Sequence, residues 1–94
     1  AVTDRAAETA AYFVASEAVT NAIKHAHASA ISIRVRAGTD DLTVTIEDDG
    51  VGGADASGTG ISGIASRVAA RDGMLHVHSP AGGPTVIEAV IPCG

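Results

Sequence analysis

At 94 residues, 46% apolar and dominated by Ala, Val and Ile with one Tyr and one Phe, the chain has material for one small domain with a core of short side chains. That composition suits an ordered α/β sandwich and argues against intrinsic disorder. Six Lys and Arg against eleven Asp and Glu give a formal charge of −5 and no basic stripe, which argues against nucleic acid and anionic membrane surfaces as partners.

In chain order, residues from about Asp4 to His27 predict one helix, rich in Ala and Glu and free of Gly and Pro. Tyr12, Ala15, Val19, Ala22, Ile23 and Ala26 fall on one face at helical spacing, with Glu17, Asn21, Lys24 and His25 opposite. The i, i+4 rule stacks that carboxylate, amide, ammonium and imidazole along two turns. Ile31–Arg36 and Leu42–Asp48 alternate apolar and polar residues, the mark of half-buried strands, and 38–41 read as their hairpin connection. Parity puts Leu42, Val44 and Ile46 inward and carries Asp48 to the same side. A buried carboxylate needs a donor, and the neighbouring sequence offers none.

Residues 50–60 read as loop, and a second helix runs from Ile61 or Ser62 to Ala70 with Ile61, Ile64 and Val68 inward. Asp72-Gly73 ends it, with Gly73 expected as the left-handed cap. Met74–Ser79 and Thr85–Ile91 are strands around a turn at 80–84. The order predicts an α+β layer, helices on one face of a mixed, mostly antiparallel sheet. The lone Cys93 has no internal disulfide partner, which fits a reduced, cytosolic compartment. No run is long enough to span a bilayer and no secretory signal is visible. The chain lacks an initiator Met and opens inside a helical pattern, so residues 1–94 are expected to be a domain of a longer protein.

Two glycine clusters organise this pattern: Asp48-Asp49-Gly50-Val51-Gly52-Gly53 and, four residues on, Gly58-Thr59-Gly60-Ile61-Ser62-Gly63. Glycines so spaced let another molecule approach the main chain, and the second cluster opens a helix whose N–H groups favour anions. The pattern reads as an adenine-nucleotide pocket, Asp48 toward the base and the second cluster toward the phosphates. No Gly-Lys-Ser/Thr follows, which excludes a Walker loop. The second cluster follows a loop rather than a strand, which excludes the dinucleotide fingerprint. Ser57, Ser62 and Ser66 lack a base at recognisable spacing.

Glu17-Ala-Val-Thr-Asn21-Ala-Ile-Lys24-His25-Ala resembles the N box of the GHKL superfamily, which includes gyrase-type ATPases and sensor histidine kinases. Asp48-Asp49-Gly50-Val51-Gly52 resembles its G1 box, and Gly58-Thr59-Gly60-Ile61-Ser62-Gly63-Ile-Ala-Ser-Arg67 its G2 box. Over nearly the whole chain, order and spacing are similar to the catalytic ATP-binding domain of two-component sensor histidine kinases of the short-lid subgroup. The resemblance implies a Bergerat-type two-layer α/β sandwich that binds ATP and Mg²⁺. It implies that Asp48 accepts from the adenine amino group, Asn21 ligates Mg²⁺ and Glu17 orients or deprotonates the attacking nucleophile. Gly50 and Gly52 would let the loop pass the nucleotide. Gly58, Thr59, Gly60, Ile61 and Gly63 would line the phosphates, and His25 would touch phosphate or ribose. Lys24 stays open between phosphate contact and surface charge, and Arg67 between phosphate, a partner domain and a salt bridge.

Only Ala54-Asp-Ala-Ser57 separates the two glycine boxes, so the lid is short and its phenylalanine box absent; Phe13, on the first helix, is the one Phe. None of His25, His27, His76 and His78 has an acceptor-like context, and His76 and His78 alone make a weak metal site. The resemblance thus implies half of an enzyme. Its partners would be its own dimerisation and phosphoacceptor domain and, indirectly, a response regulator, in a cytoplasmic domain of a protein that can be membrane-anchored. The alternative is an anti-sigma-factor-type serine kinase, or a non-catalytic nucleotide module of the same fold.

Overall fold

The computed structural model describes residues 5–26, 28–50 and 59–93. Helix α1 spans Arg5–Asn21 and continues as a single π-helical turn, Ala22–Ala26, which Ala28 closes by donating its N–H to the Ala22 carbonyl at 3.3 Å. Strands β1 (Ile31–Ala37) and β2 (Asp41–Asp48) follow, then helix α2 (Thr59–Ala69) and strands β3 (Met74–His78) and β4 (Thr85–Pro92). The expected single helix is therefore two windings, and α2 begins two residues before the earliest expected start. A π turn takes more residues per turn than an α-helix. Glu17 and Asn21 stay stacked on α1, while the underwound turn carries Lys24 out of that row.

The sheet order is β1-β2-β4-β3, and all three pairings are antiparallel, with no parallel pair among the described residues. Both hairpins are where the sequence puts them. Alternation along β2 and β4 builds shared rungs: Leu42 opposite Ile91, Val44 opposite Ala89, Ile46 opposite Ile87. All six are buried against the helices. Each large aliphatic side chain so buried contributes about 1.5–3 kcal/mol. Helix α1 lies over β2 and β4; α2 packs on α1 and over β3 and β4. Ile61, Ile64 and Val68 face the core as expected.

The buried stripe of α1 coincides with the expected one at Ala22, and at Ala15, which packs partly buried against the core, and is otherwise shifted. Ala7, Ala10, Ala11, Val14, Ala18 and Ala22 face the sheet, while Tyr12 and Ile23 are 77% and 64% exposed. Short side chains let the helix axis come close to the sheet, which the larger apolar face would prevent. The cap of α2 also differs. Gly73 N–H donates to the Val68 carbonyl and Asp72 N–H to that of Ala69, both at 2.9 Å, a Schellman pair, and the left-handed residue is Asp72 at φ 57°. Gly73 is required for another reason: a Cβ there would stand 2.6 Å from the Val90 carbonyl oxygen and 2.8 Å from Val68 Cγ1.

Candidate functional site

Three apolar rungs of β2 and β4 are followed by a fourth that is polar. Asp48 and Thr85 are direct cross-strand partners, 6% and 5% exposed, and the buried polar side chains among the described residues. Ile31 of β1 completes the rung. A local donor does exist for Asp48: the Gly50 N–H reaches Oδ1 at 2.8 Å, the short-range turn that Asp favours before glycine. Oδ2 has no donor among the described residues. The carboxylate is thus oriented by its own loop. The Thr85 hydroxyl is held at 2.6 Å from Ser79 Oγ, and either can donate. Thr85 escaped sequence reasoning because the register that sets it beside Asp48 joins strands far apart in the chain.

Asp49, the next residue, is exposed and structural. Its Oδ1 accepts the N–H groups of Ser29 at 2.7 Å and Ala30 at 3.0 Å, and its Oδ2 accepts Ser29 Oγ at 3.3 Å. The Ala30 and Ser29 amides hold its pKa below the usual 3.8. These bonds fasten the segment after the π turn to the end of β2. They bring the end of α1, with its half-buried Glu17 and Asn21, to the end of the sheet where Asp48 lies.

Glu17 and Asn21 are one turn apart on α1. Among the described residues no three His, Cys, Asp or Glu gather as metal ligands. The Asn21 amide oxygen is a hard donor of the kind Mg²⁺ accepts alongside phosphates and waters. Lys24 is exposed, and the side chain of His25 lies outside the described residues. Gly50 is buried behind Asp48; Gly52 and Gly58 lie outside the described residues. Thr59 and Gly60 open α2, where helical N–H groups have no partner one turn earlier. The Ile61 side chain belongs to the core, which leaves its backbone for any ligand. A Cβ at Gly63 would meet nothing within 4 Å, so packing alone does not demand glycine there.

Arg67, considered for phosphate, a partner domain or a salt bridge, lies over an aromatic ring of the first helix. Its guanidinium sits 4.3 Å from the centroid of the Phe13 ring, joining α2 to α1. His76 and His78 are exposed on the outer sheet face, opposite Glu88 and Val86. No helix among the described residues is long and apolar enough to cross a membrane.

The family model of histidine kinase-, DNA gyrase B- and HSP90-like ATPases matches residues 6–94. The chain is similar to the sensor histidine kinase LnrJ of Bacillus subtilis (strain 168), 39% identical over 64 residues, covering 67% of this chain and 16% of that protein. It is also similar to the signal transduction histidine-protein kinase/phosphatase UhpB of Salmonella typhimurium, 37% identical over 67 residues, 68% of this chain and 13% of that protein. The chain thus spans a small part of the curated relatives it matches. Among solved structures, the histidine kinase domain of the Erythrobacter litoralis EL346 blue-light activated histidine kinase superposes with a TM-score of 0.71 at 26% identity, over 86% of this chain and 45% of that one.

Proposed function

The chain belongs to the family of histidine kinase-, DNA gyrase B- and HSP90-like ATPases, as a catalytic ATP-binding domain of the sensor histidine kinase kind, and from that premise we propose that it binds Mg-ATP beside Asp48 and donates the γ-phosphoryl to a histidine on a dimerisation domain outside these residues. The observation that supports this reading is the carboxylate of Asp48, buried on a polar rung at the sheet's end and held at Oδ1 by the Gly50 N–H. With Oδ1 fixed by Gly50, Oδ2 accepts the exocyclic amino group of adenine, where guanine would present an acceptor. Thr85 lines the same rung. Backbone amides of Gly58, Thr59, Gly60, Ile61 and Gly63 meet the phosphates, Lys24 and His25 reach them from the π turn, and Gly50 and Gly52 let the loop pass the nucleotide.

Asn21 would hold Mg²⁺, which when bound neutralises phosphate charge. Glu17 orients the acceptor imidazole and takes its proton as the nitrogen–phosphorus bond forms and the bond to the β-phosphate oxygen breaks, releasing ADP. The similarity to proteins named as sensor histidine kinases favours a histidine over a serine acceptor. In the full-length protein, Glu17→Gln is expected to lower autophosphorylation at least 100-fold, the span of general-base catalysis, with ATP affinity changed less than about threefold. An unchanged rate of radiolabel transfer from ATP would remove Glu17 from the chemistry.

A further inference from the structure

The phosphate side of the proposed site is divided between two helices: α1 carries Glu17 and Asn21, and α2 opens at Thr59 and Gly60. They run in opposite directions over the sheet. Asp49 fastens Ser29 and Ala30, just past the π turn, to the Asp48 end of β2. Gly73, just past α2, packs against Val90, toward the end of β4 remote from Thr85. The end of α1 and the start of α2 therefore both lie toward Asp48 and Thr85. The helices meet through small or aliphatic side chains, with Ala7, Ala10, Ala11 and Val14 sharing one core with Ile64 and Val68. Apolar burial of this kind is non-directional: it holds the layers together without fixing how far one helix slides along the other.

Arg67 over Phe13 supplies the missing direction, since the attraction requires the guanidinium to stand over the ring face. Phe13, Glu17 and Asn21 stand at i, i+4 and i+8, one row along α1, and Gly60, Gly63 and Arg67 at i, i+3 and i+7, one row along α2. The 4.3 Å contact joins the two rows on the side remote from Asp48. From there one row runs through the half-buried carboxylate and amide, and the other through two glycines. A Cβ at Gly63 would meet nothing within 4 Å, so that side of α2 is open to a ligand. We propose that Arg67 and Phe13 are a positioning pair: their contact sets the Glu17–Asn21 row against the start of α2, and so sets the grip on the triphosphate without touching it. The inference rests on the nucleotide reading.

Calorimetric titration of the full-length protein with ATP and with adenosine tests it, since adenosine reports the base pocket without phosphates. Arg67→Met keeps the stem and removes the cation at an exposed position. It is expected to weaken ATP binding about two- to fivefold, the span of one exposed cation–π contact, and to leave adenosine affinity unchanged. Phe13→Leu should do the same, the double variant should lose no more than either single one, and Arg67→Lys should recover most of the loss. Circular dichroism reports that each variant is folded. Wild-type ATP affinity in folded Arg67→Met, an equal loss for adenosine, or losses that multiply in the double variant would each overturn the pair and leave the nucleotide reading intact. A wild type that binds neither ligand would overturn both.

Discussion

Asp48 and Asp49 are adjacent in sequence and opposite in duty, because strand parity turns one into the protein and the other out. Asp49 is a fastener, and its consequence is a pH dependence. Two backbone amides lower its pKa below 3.8, so it stabilises the fold fully above that value and stops doing so as pH falls through the lowered pKa. Urea midpoints of wild type and Asp49→Asn are therefore expected to differ most near neutral pH and to converge as the pH drops below 3.8. A gap that persists or widens in acid would contradict the fastening role. At the end of α2 the geometry separates two neighbouring residues in the same way. Gly73→Ala should cost about 1–3 kcal/mol, since its new methyl meets a carbonyl oxygen that cannot retreat. Asp72→Gly should be neutral or stabilising by up to about 1 kcal/mol, because it relieves a left-handed residue. Reversed signs in urea unfolding would reassign the cap.

At the scale of elements, alternation was easy to read and helical facing was not. In β2 the period is two and the contrast between Leu42, Val44, Ile46 and their Thr neighbours is large, so parity located Asp48 without a structure. In α1 the residues that face the sheet are mostly alanines, which differ little from their surroundings in hydropathy. Tyr12 and Ile23 drew the apolar face round the helix because they are large, whereas close helix-on-sheet packing selects small residues. The two faces differ measurably. Ala18→Leu, at a position 2% exposed, should lower stability by about 1–3 kcal/mol, while Tyr12→Ala should stay within about 0.5 kcal/mol in thermal or urea unfolding. Gly73 was recognised as necessary but for its φ, when close approach of β4 is the cause. The π turn, which resets Lys24 relative to Asn21, has no signal in composition, since Ala, Ile, Lys and His all fit an ordinary helix.

For the whole molecule, the two-layer arrangement and the inward position of Asp48 were legible because local periodicity encodes them. Long-range facts were not: Thr85 beside Asp48 and Arg67 over Phe13 both depend on which elements become neighbours. Together they describe a small sandwich with one polar rung, fed by the end of α1 and, at the start of α2, by a second glycine cluster. The reading of that rung as an adenine sensor is tested most directly by deleting the one group it is proposed to read. Calorimetric titration would compare ATP with purine riboside triphosphate, which lacks the 6-amino group, against wild type and Asp48→Asn. Wild type is expected to bind ATP at least tenfold more tightly than the purine analogue, about 1.4 kcal/mol, and Asp48→Asn to show little preference between them. Equal affinity of the wild-type chain for the two nucleotides would contradict it.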